Sequence, residues 1–455
     1  MSVADEALHA LRTWHRMPAA DLLARLQVSR ATLMRAVAAL GPAVVQRGLA
    51  RKSAYAASRG LRGQTAQLPL YAISTHGVAT EVARLQPIHP AGCALDGAPA
   101  LGWPLDGDMR SGWFDGLPYM LDDMRPQGFL GRHFAQQHAA LMQVADDPGL
   151  WSEDDVLHVL SLLGTDQSGH YILGDTALRL WQQQLLQPPA GVADADVATQ
   201  YPVLADRAVA LGAAGSSAAG EFPKFTALRL QGGQPVAVIV KFSGSDDTPG
   251  SRRWADLLVC EHLALDAVAQ HLQVASAASR IHLAAGRCFL EVDRFDRHGL
   301  HGRSALCSWA ALNAGLFGQA GKPWTSAATA LRGAGLIDAA TQDAMARLWH
   351  FGQLIGNTDM HDGNLSFCPG LQLAPAYDML PMLFAPQRGL EVPVRQLSAP
   401  LPLPAELPAW LPAAAAALRF WDRASGDGRI SAAFRQTAAH NAQLVDGLQR
   451  LAGGG

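Results

Sequence analysis

The chain is poor in charged residues, which occupy only 16% of its 455 positions, whereas apolar residues occupy 49%. No apolar run reaches the ~20 residues of a membrane-spanning helix, and the longest candidate, residues 401–418, is broken by prolines. Asp5 and Glu6 stand where a signal peptide carries cations. The composition excludes large-scale disorder and predicts a soluble cytoplasmic protein of about three domains with no membrane partner.

Cysteine is equally scarce, and no cysteine belongs to a Cys-x-x-Cys motif or to a Cys/His pair at metal-ligand spacing. The five residues are Cys93, Cys260, Cys288, Cys307 and Cys368. An odd, scattered set is typical of reduced thiols in a cytosolic protein, and it argues against a disulfide framework.

The few charges are unevenly placed along the chain. Residues 1–63 contain ten Arg or Lys and three Asp or Glu, a local balance of +7, whereas the whole chain has a formal net charge of −3. The remainder therefore carries −10. A basic head on an acidic body predicts an anionic partner for the head.

The basic head has the element order of a winged helix-turn-helix, which we assign to residues 1–63. Helical periodicity and the N-cap Ser29 define three helices, and two short strands enclose a basic loop. The helices are predicted at Glu6–His15, Ala19–Leu26 and Ser29–Leu40, and the strands at 44–45 and 54–57.

Six side chains of the head are candidates for DNA contacts. They are Arg30, Thr32 and Arg35 on the third helix, and Arg47, Arg51 and Lys52 on the wing. A recognition helix enters the major groove, while wing cations meet phosphates. A small helical bundle without DNA is the alternative, and the +7 balance favours DNA over it.

The rest of the chain divides into three parts. Residues 64–200 mix strands and helices and end in the polar segment Gln187–Gln200, the best linker candidate. Residues 201–300 are strand-rich and contain a hairpin signal at 231–234, whereas residues 301–455 are mostly helical. A strand-rich lobe followed by a helical lobe predicts an α+β fold.

Lys241 lies near the end of the nearly continuous apolar strand 236–242, where an ammonium group is costly unless an anion meets it. Twenty residues later, Glu261 falls inside the apolar stripe of a helix over 253–272. In kinases, such a pair holds a lysine on the nucleotide phosphates. The alternative is a lysine that snorkels to water and a solvated glutamate.

The segment 356–364, Gly-Asn-Thr-Asp-Met-His-Asp-Gly-Asn, carries the sharpest signal. Asp359 and Asn364 have the D-x-x-x-x-N spacing in which the aspartate accepts a hydroxyl proton and the asparagine binds magnesium. Asp362 lies only two residues before Asn364, so the spacing favours Asp359 as the base. Asp378, fourteen residues after Asn364, is placed to bind the same metal. Any one of these acids is more often a turn residue than a catalytic one, but four roles in this order are not expected by chance.

A loop of small residues, Gly215–Gly220, precedes the lysine hairpin. Small residues let backbone N–H groups approach phosphates closely. By itself such a loop is more often an ordinary flexible turn, and only its place just before the lysine hairpin favours a phosphate loop.

Taken together, these segments resemble the HipA family of bacterial toxins, which are Ser/Thr kinases. The resemblance spans residues 200–385 and is carried by Ser217–Lys224, Val240–Phe242, Val292–Arg297, Asn357–Asn364 and Tyr377-Asp378. The basic head and Phe114–Arg132 resemble the YjjJ (HipH) subgroup, in which the DNA-binding module belongs to the same chain.

The resemblance implies a protein-kinase-like bilobal fold that binds ATP and magnesium. It implies a HipA-like N-terminal subdomain at 64–200, an N-lobe at 201–300 and a C-lobe at 301–455. The implied roles are Asp359 as base, Asn364 and Asp378 as metal ligands, Lys241 with Glu261 on the phosphates, Gly220 in the phosphate loop, the backbone of Asp293 and Phe295 at adenine, and Ser217 or Ser216 as the autophosphorylated residue.

The resemblance also suggests partners. The substrate would be a protein, for example an aminoacyl-tRNA synthetase, although nothing in this chain selects one. A separate antitoxin stays open, and helix-turn-helix proteins often bind DNA as homodimers on paired half-sites.

Three departures from the family pattern leave other functions open. Phe222-Pro223 replaces a usual glutamine, Gly363 replaces a lysine, and Asp293 replaces a glutamate. The leading hypothesis is a toxin-type protein kinase fused to a DNA-binding head. The second is a DNA-binding regulator whose kinase-like body senses a nucleotide, and the third is a toxin that damages DNA.

Overall fold

The computed structural model describes residues 2–48, 53–63, 67–211, 222–387 and 392–453. Along this part of the chain, a small N-terminal unit, a middle domain, a strand-rich lobe and a helical lobe follow one another. The mixture of helices and sheets confirms the predicted α+β class. Within the same residues, no helix combines the length and apolar character needed to cross a bilayer.

The N-terminal unit packs three helices on a small sheet. Its elements are α1 (Val3–Thr13), β1 (Met17–Pro18), α2 (Ala19–Leu26), α3 (Arg30–Leu40), β2 (Val44–Arg47) and β3 (Ala54–Ala57). The Ser29 hydroxyl accepts a hydrogen bond from the Thr32 amide at 3.2 Å and begins α3, as predicted. The strands are antiparallel in the order β1-β3-β2, and Leu22 and Leu33 are buried beneath the helices.

This unit is fixed to the middle domain by apolar contacts and ion pairs. Arg62 Nη2 lies 2.6 Å from Asp155 Oδ1, and Arg59 pairs with Asp154. Ser58 forms a β-bridge with Ile88. The apolar part of the interface consists of Val45, Ala56, Ile88, Ala94 and Trp113. The basic head and the acidic body thus meet through complementary charges.

The middle domain is an antiparallel five-stranded sheet with three helices. Its elements are β4 (Leu68–Ile73), β5 (Ala79–Pro87), β6 (Cys93–Asp96), β7 (Trp113–Phe114), α4 (Gly128–Met142), α5 (Glu153–Leu163), β8 (Tyr171–Leu173) and α6 (Asp175–Leu186). The strand order is β7-β6-β5-β4-β8. The N-terminus of α5 is capped by Ser152, whose hydroxyl accepts from the Asp155 amide at 3.2 Å.

The strand-rich lobe, or N-lobe, contains a second five-stranded sheet. Its elements are β9 (Val192–Ala193), α7 (Val197–Leu211), β10 (Lys224–Gln231), β11 (Gln234–Phe242), α8 (Pro249–Ala267), β12 (Ser279–Ala284) and β13 (Arg287–Asp293). The strand order is β12-β13-β11-β10-β9. Gln231 faces Gln234 across a tight turn, which confirms the predicted hairpin.

The N-lobe sheet begins before residue 201, because β9 pairs in parallel with β10. Only residues 187–191 connect it to the middle domain, so the polar segment 187–200 is not all linker. The polarity there has a structural use: Asp194 accepts from Arg229 Nη2 at 2.7 Å and from the Gly232 amide at 3.1 Å.

A buried ionic network joins the outer face of this sheet to α7. Glu291 is fully buried on β13, and its Oε2 accepts from Arg229 Nε on β10 at 2.8 Å. The Tyr201 hydroxyl of α7 donates to the same oxygen. Gln231 Nε2 donates to the other oxygen at 3.0 Å. Since the buried carboxylate is met on several sides, its charge is compensated inside the lobe.

The helical lobe, or C-lobe, completes the chain. Its elements are β14 (Arg297–His298), β15 (Gly302–Arg303), β16 (Cys307–Ser308), α9 (Trp309–Leu316), α10 (Trp324–Gly333), α11 (Ala339–Ile355), β17 (Ser366–Cys368), β18 (Gln372–Leu373), α12 (Leu407–Gly426) and α13 (Ala432–Gly453). Strands β17 and β18 pair antiparallel and form a short hairpin. Trp421 of α12 donates from Nε1 to the Leu354 carbonyl at 3.1 Å, which anchors the end of α11.

Candidate active site

The predicted pair of Lys241 and Glu261 forms between β11 and α8. Lys241 Nζ lies 2.7 Å and 2.9 Å from the two carboxylate oxygens of Glu261. Glu261 is 1% exposed and Lys241 7% exposed, so water contributes little to either charge. The apolar stripe of α8 therefore does carry its glutamate inward.

Asp378 supplies a second carboxylate to the same ammonium group. Its side chain is 31% exposed, so it faces the opening of the cleft while Glu261 lies behind. Asp378 has φ of +53°, a left-handed conformation that is uncommon outside glycine. Strained residues of this kind cluster at functional sites.

The three charged groups shift one another's pKa values. Burial alone would lower the pKa of Lys241, but Asp378 and Glu261 raise it above its ordinary value. Burial would raise the pKa of Asp378, but Lys241 lowers it to about 2. Burial raises the pKa of Glu261 to about 7, against the attraction of Lys241 and with the repulsion of Asp378. Two carboxylates compete for one ammonium group, and the more accessible Asp378 is ionised at neutral pH.

The loop that carries Asp359 begins where α11 ends. Gly356 has φ of +74° and closes the helix with its amide bonded to the Gln353 carbonyl at 3.1 Å. Gly352, one turn earlier, has no side chain, and Met360 of the loop occupies the space that a Cβ would need. The loop is therefore held tightly against the helix.

Asp359 and Asn364 lie in one turn, as the spacing predicts. Asn364 is buried, and its Nδ2 donates to the Asp359 carbonyl at 2.8 Å. This bond uses the amide nitrogen and leaves Oδ1 as the group of Asn364 suited to a cation. Asp359 itself is exposed at the rim.

Asp362 is directed to another partner. Its Oδ2 accepts from Asn313 Nδ2 at 2.9 Å, and Asn313 is 1% exposed on α9. Asn313 in turn accepts from the Gln319 amide at 2.8 Å. This arrangement gives Asp362 a structural contact, and Asp359 as the base stays a prediction.

Sequence reasoning missed two residues that hold this site together. Buried Asn357 accepts from the Asp359 amide at 3.0 Å and donates from Nδ2 to the Asp378 carbonyl at 3.2 Å. The Tyr377 hydroxyl donates to the Gly363 carbonyl at 2.7 Å. Asn357 had a readable signal, because a polar residue directly after the glycine that ends an apolar helix has to find partners inside the protein.

The two hinge candidates lie between the lobes. The Asp293 amide donates to the Ala278 carbonyl at 2.8 Å, so its carbonyl is the group that contact with adenine would use. The Asp293 carboxylate pairs with Arg280 at 2.7 Å, so it is not the group proposed to contact adenine. The Phe295 ring lies 5.9 Å from the Tyr377 ring, beside the metal-ligand candidate Asp378.

Several predicted site residues fall outside the described residues. These are Ser216, Ser217 and Gly220 of the phosphate loop, and Arg51 and Lys52 of the wing. The departure at Phe222 has a structural counterpart, since this buried ring packs 4.5 Å from the Trp254 ring of α8. An aromatic residue here therefore packs against the helix that carries Glu261.

The remaining DNA candidates differ in exposure. Arg30 and Arg35 are exposed on α3, and Thr32 is half-buried beside the N-cap. Arg47 is half-buried, and its Nη1 donates to the Gln46 carbonyl at 3.2 Å. The structure thus leaves Arg30 and Arg35 exposed on α3 and Arg47 half-buried.

Comparison with known proteins agrees with this geometry. Residues 64–182 match the family model of the YjjJ-like toxin middle domain, and residues 216–442 match that of the HipA-like C-terminal domain. Toxin YjjJ of Escherichia coli (strain K12) is 36% identical over 425 residues, which cover 92% of this chain and 93% of that protein.

The solved structure of a HipA protein shows the fold. HipA of Shewanella oneidensis MR-1, solved with HipB and its operator DNA, superposes with a TM-score of 0.50 at 15% identity, covering 84% of this chain and 97% of that chain. The proinflammatory kinase CtkA of Helicobacter pylori matches with a TM-score of 0.35 at 13% identity, over 50% of this chain and 91% of its own. The chain therefore belongs to the YjjJ-like toxins of the HipA family and has their protein-kinase-like fold.

Proposed function

We propose that the protein is an ATP- and Mg²⁺-dependent Ser/Thr protein kinase of the HipA toxin type. One observation carries the proposal: Lys241 Nζ lies between Glu261 and Asp378, beside the turn that contains Asp359 and Asn364. The site thus has a buried ammonium group held by two acids, an exposed aspartate and an amide oxygen. These are the groups that kinases use for phosphoryl transfer.

The side chains present suit a magnesium ion. Asp378 offers an ionised, partly exposed carboxylate, and Asn364 offers an amide oxygen, both hard ligands of the kind Mg²⁺ takes. When bound, the ion neutralises charge on the transferred phosphoryl group. Lys241 bonds both oxygens of Glu261 and one of Asp378; once Asp378 binds the metal, it would turn one N–H toward the α- and β-phosphates, while Glu261 keeps it in place. Asp359 would orient the substrate hydroxyl and accept its proton.

We further propose Ser217, or its neighbour Ser216, as a residue that the kinase phosphorylates on itself. Phosphorylation would add about two negative charges beside the nucleotide phosphates. The repulsion would expel the loop and switch off transfer. The protein substrate would be of the translation machinery, for example an aminoacyl-tRNA synthetase.

The test is a transfer reaction with the intact protein, γ-labelled ATP and Mg²⁺, with the labelled residues mapped by mass spectrometry. We expect label on Ser217 or Ser216, and release of ADP that stops when EDTA removes the metal. Nucleotide binding without any transfer would contradict the kinase proposal. It would favour the nucleotide-sensing regulator, to which Gly363 and Phe222 point because each replaces a polar family residue. DNA cleavage that survives Asp359→Ala, with no transfer by the wild type, would favour the DNA-damaging toxin.

We propose that the N-terminal unit binds DNA through α3. Arg30 and Arg35 are exposed on this capped helix, and residues 1–63 carry a balance of +7. The related HipA complex contains HipB and operator DNA, so an antitoxin partner is a further proposal for this chain. Binding as a homodimer to its own promoter would give autoregulation.

The double substitution Arg30→Ala and Arg35→Ala should weaken DNA binding. Because each lost phosphate contact removes about 0.9 from the slope of log K against log [salt], we expect the slope to fall by about two if both arginines meet phosphates. Fluorescence anisotropy with a labelled duplex from the gene's own promoter measures this. Arg450→Ala, which removes an exposed cation from α13, is the matched control. Equal loss in both variants would contradict a role for α3.

A further inference from the structure

A cavity of about 730 Å³ lies at the seam between the middle domain and the N-lobe. Its walls come from α6, the connecting residues 187–190, α7, the β10–β11 hairpin and residues 294–303. Lys241, Glu261, Asp359, Asn364 and Asp378 do not line it. The volume falls within the roughly 300–1,000 Å³ of small-molecule sites. The seam therefore has room for a ligand away from the proposed reaction centre.

One side of this seam cavity is apolar. The lining side chains include Leu185 of α6, Leu204 of α7, Leu228 of β10 and Leu300 of the β14–β15 turn. Leu185 is half-buried, whereas its neighbour Leu186 is 83% exposed and points away from the cavity. Pockets that bind small molecules typically combine such apolar walls with a few placed polar groups.

The other side carries an excess of positive charge. Arg294 and Arg297 both pair with Asp166, at 2.9 Å and 2.8 Å, and both also pair with Asp296. Arg303 is 5% exposed and donates from Nη2 to the Thr165 carbonyl. Within this cluster of described residues, three guanidinium groups face two carboxylates, so the cluster has an excess of one positive charge.

Arg303 is the group that this cluster leaves under-compensated. Among the described residues, its buried Nη1 has no hydrogen-bond partner, and the Nδ1 atom of His301, two positions earlier, has none either. Burial, together with the neighbouring Arg297, lowers the pKa of Arg303 to about 9. A buried guanidinium without full hydrogen bonding is costly, and an incoming anion would relieve that cost.

We propose that the seam cavity binds a small amphipathic anion, that is, a molecule with one carboxylate, phosphate or sulfonate group on an apolar body of aromatic size. The anionic group would meet Arg303 and His301, and the apolar body would lie against Leu185, Leu204 and Leu228. Arg294 connects this site to the hinge, because it lies between the hinge candidates Asp293 and Phe295 in the chain. Its amide donates to the Ala237 carbonyl at 2.9 Å.

The test uses the full-length protein and 8-anilinonaphthalene-1-sulfonate, an aromatic sulfonate that becomes fluorescent in apolar sites. We expect one saturable site that persists in the presence of saturating MgATP. Leu185→Trp fills the cavity and should weaken the affinity at least tenfold. Leu186→Trp adds the same indole at the exposed neighbouring position and should bind as the wild type does.

The neutral analogue N-phenyl-1-naphthylamine tests the charge. It should bind at least tenfold more weakly than the sulfonate, a difference of about 1.4 kcal/mol. If Leu185→Trp fails to keep the wild-type near-UV circular dichroism, Gln184→Trp serves as a second blocking variant from the exposed rim of α6.

Each of three results would overturn the proposal. Unchanged sulfonate binding in a folded blocking variant would place the probe elsewhere. Equal affinity of the neutral analogue would make the cavity an apolar site only. Competitive displacement by MgATP would place the probe in the nucleotide cleft. The probe experiment needs no phosphoryl transfer, so its outcome is independent of the kinase proposal.

Discussion

The variant Asp359→Asn should lose phosphoryl transfer by about 10²–10⁴-fold, the usual contribution of a general base. Asparagine has the shape of aspartate but cannot accept the proton of the substrate hydroxyl. The Asp359 amide and carbonyl, which bond to Asn357 and Asn364, are unchanged by the substitution. We therefore expect the affinity for MgATP, measured by calorimetry, to stay close to that of the wild type.

Asp362→Asn is the matched control, three residues away in the same turn. The Asp362 carboxylate contacts Asn313, so the variant should change the transfer rate by less than about tenfold, or 1.4 kcal/mol of activation free energy. Single-turnover loss of the γ-phosphate measures both variants. The assignment of the base is wrong if Asp362→Asn is the more damaging substitution.

The second large effect concerns stability. Glu291→Gln keeps the side-chain shape but removes the charge that compensates Arg229, which is 2% exposed. Leaving a buried guanidinium without its carboxylate costs about 3–5 kcal/mol. At about 2–4 °C per kcal/mol, the melting transition of the N-lobe should fall by about 6–20 °C in scanning calorimetry.

The control for this variant is Asp194→Ala, which removes the exposed partner of the same arginine. The Asp194 side chain is 62% exposed, so its loss should lower the melting temperature much less than Glu291→Gln does. A comparable fall in melting temperature in the two variants would show that burial does not determine how much each carboxylate of the network stabilises the fold.

At acid pH, the difference in melting temperature between the wild type and Glu291→Gln should disappear. Burial alone would raise the pKa of Glu291, but His282, Tyr201 and Arg229 lower it to about 2, below its ordinary 4.5. A carboxylate with a lowered pKa stabilises the fold fully above its unfolded pKa and loses this contribution as the pH falls toward the folded pKa. The gap in melting temperature should therefore narrow between pH 4.5 and 2, and a constant gap would contradict the ionised state of Glu291.

Much of this fold could be predicted because the relevant signals are local. The turn at 231–234, the Ser29 cap and the apolar stripe around Glu261 each depend on a few neighbouring residues. The Lys241–Glu261 pair was also predictable, since a buried ammonium group and a buried carboxylate each need a partner. Such demands can be read from a sequence when both partners lie in strongly apolar segments.

Other features depend on contacts between distant segments. Nothing in the sequence near Asp194 indicates that Arg229 and Gly232 bind it. The polarity of segment 187–200 was therefore the only signal for its structure, and polarity alone predicts a linker. The left-handed backbone of Asp378 and the contacts of Asn357 arise where three segments meet. The charge balance of Arg303 is likewise set by residues more than a hundred positions away, among them Thr165 and Asp166.

Central to the proposed function is a single MgATP site formed by Lys241, Asn364 and Asp378. Anomalous diffraction from crystals of the intact protein grown with Mn²⁺ and a non-hydrolysable ATP analogue tests it most directly. We expect an anomalous peak bonded to Asn364 Oδ1 and the Asp378 carboxylate, with Lys241 Nζ on the phosphates. A nucleotide bound elsewhere, or one bound in the cleft without metal at these two side chains, would contradict the claim.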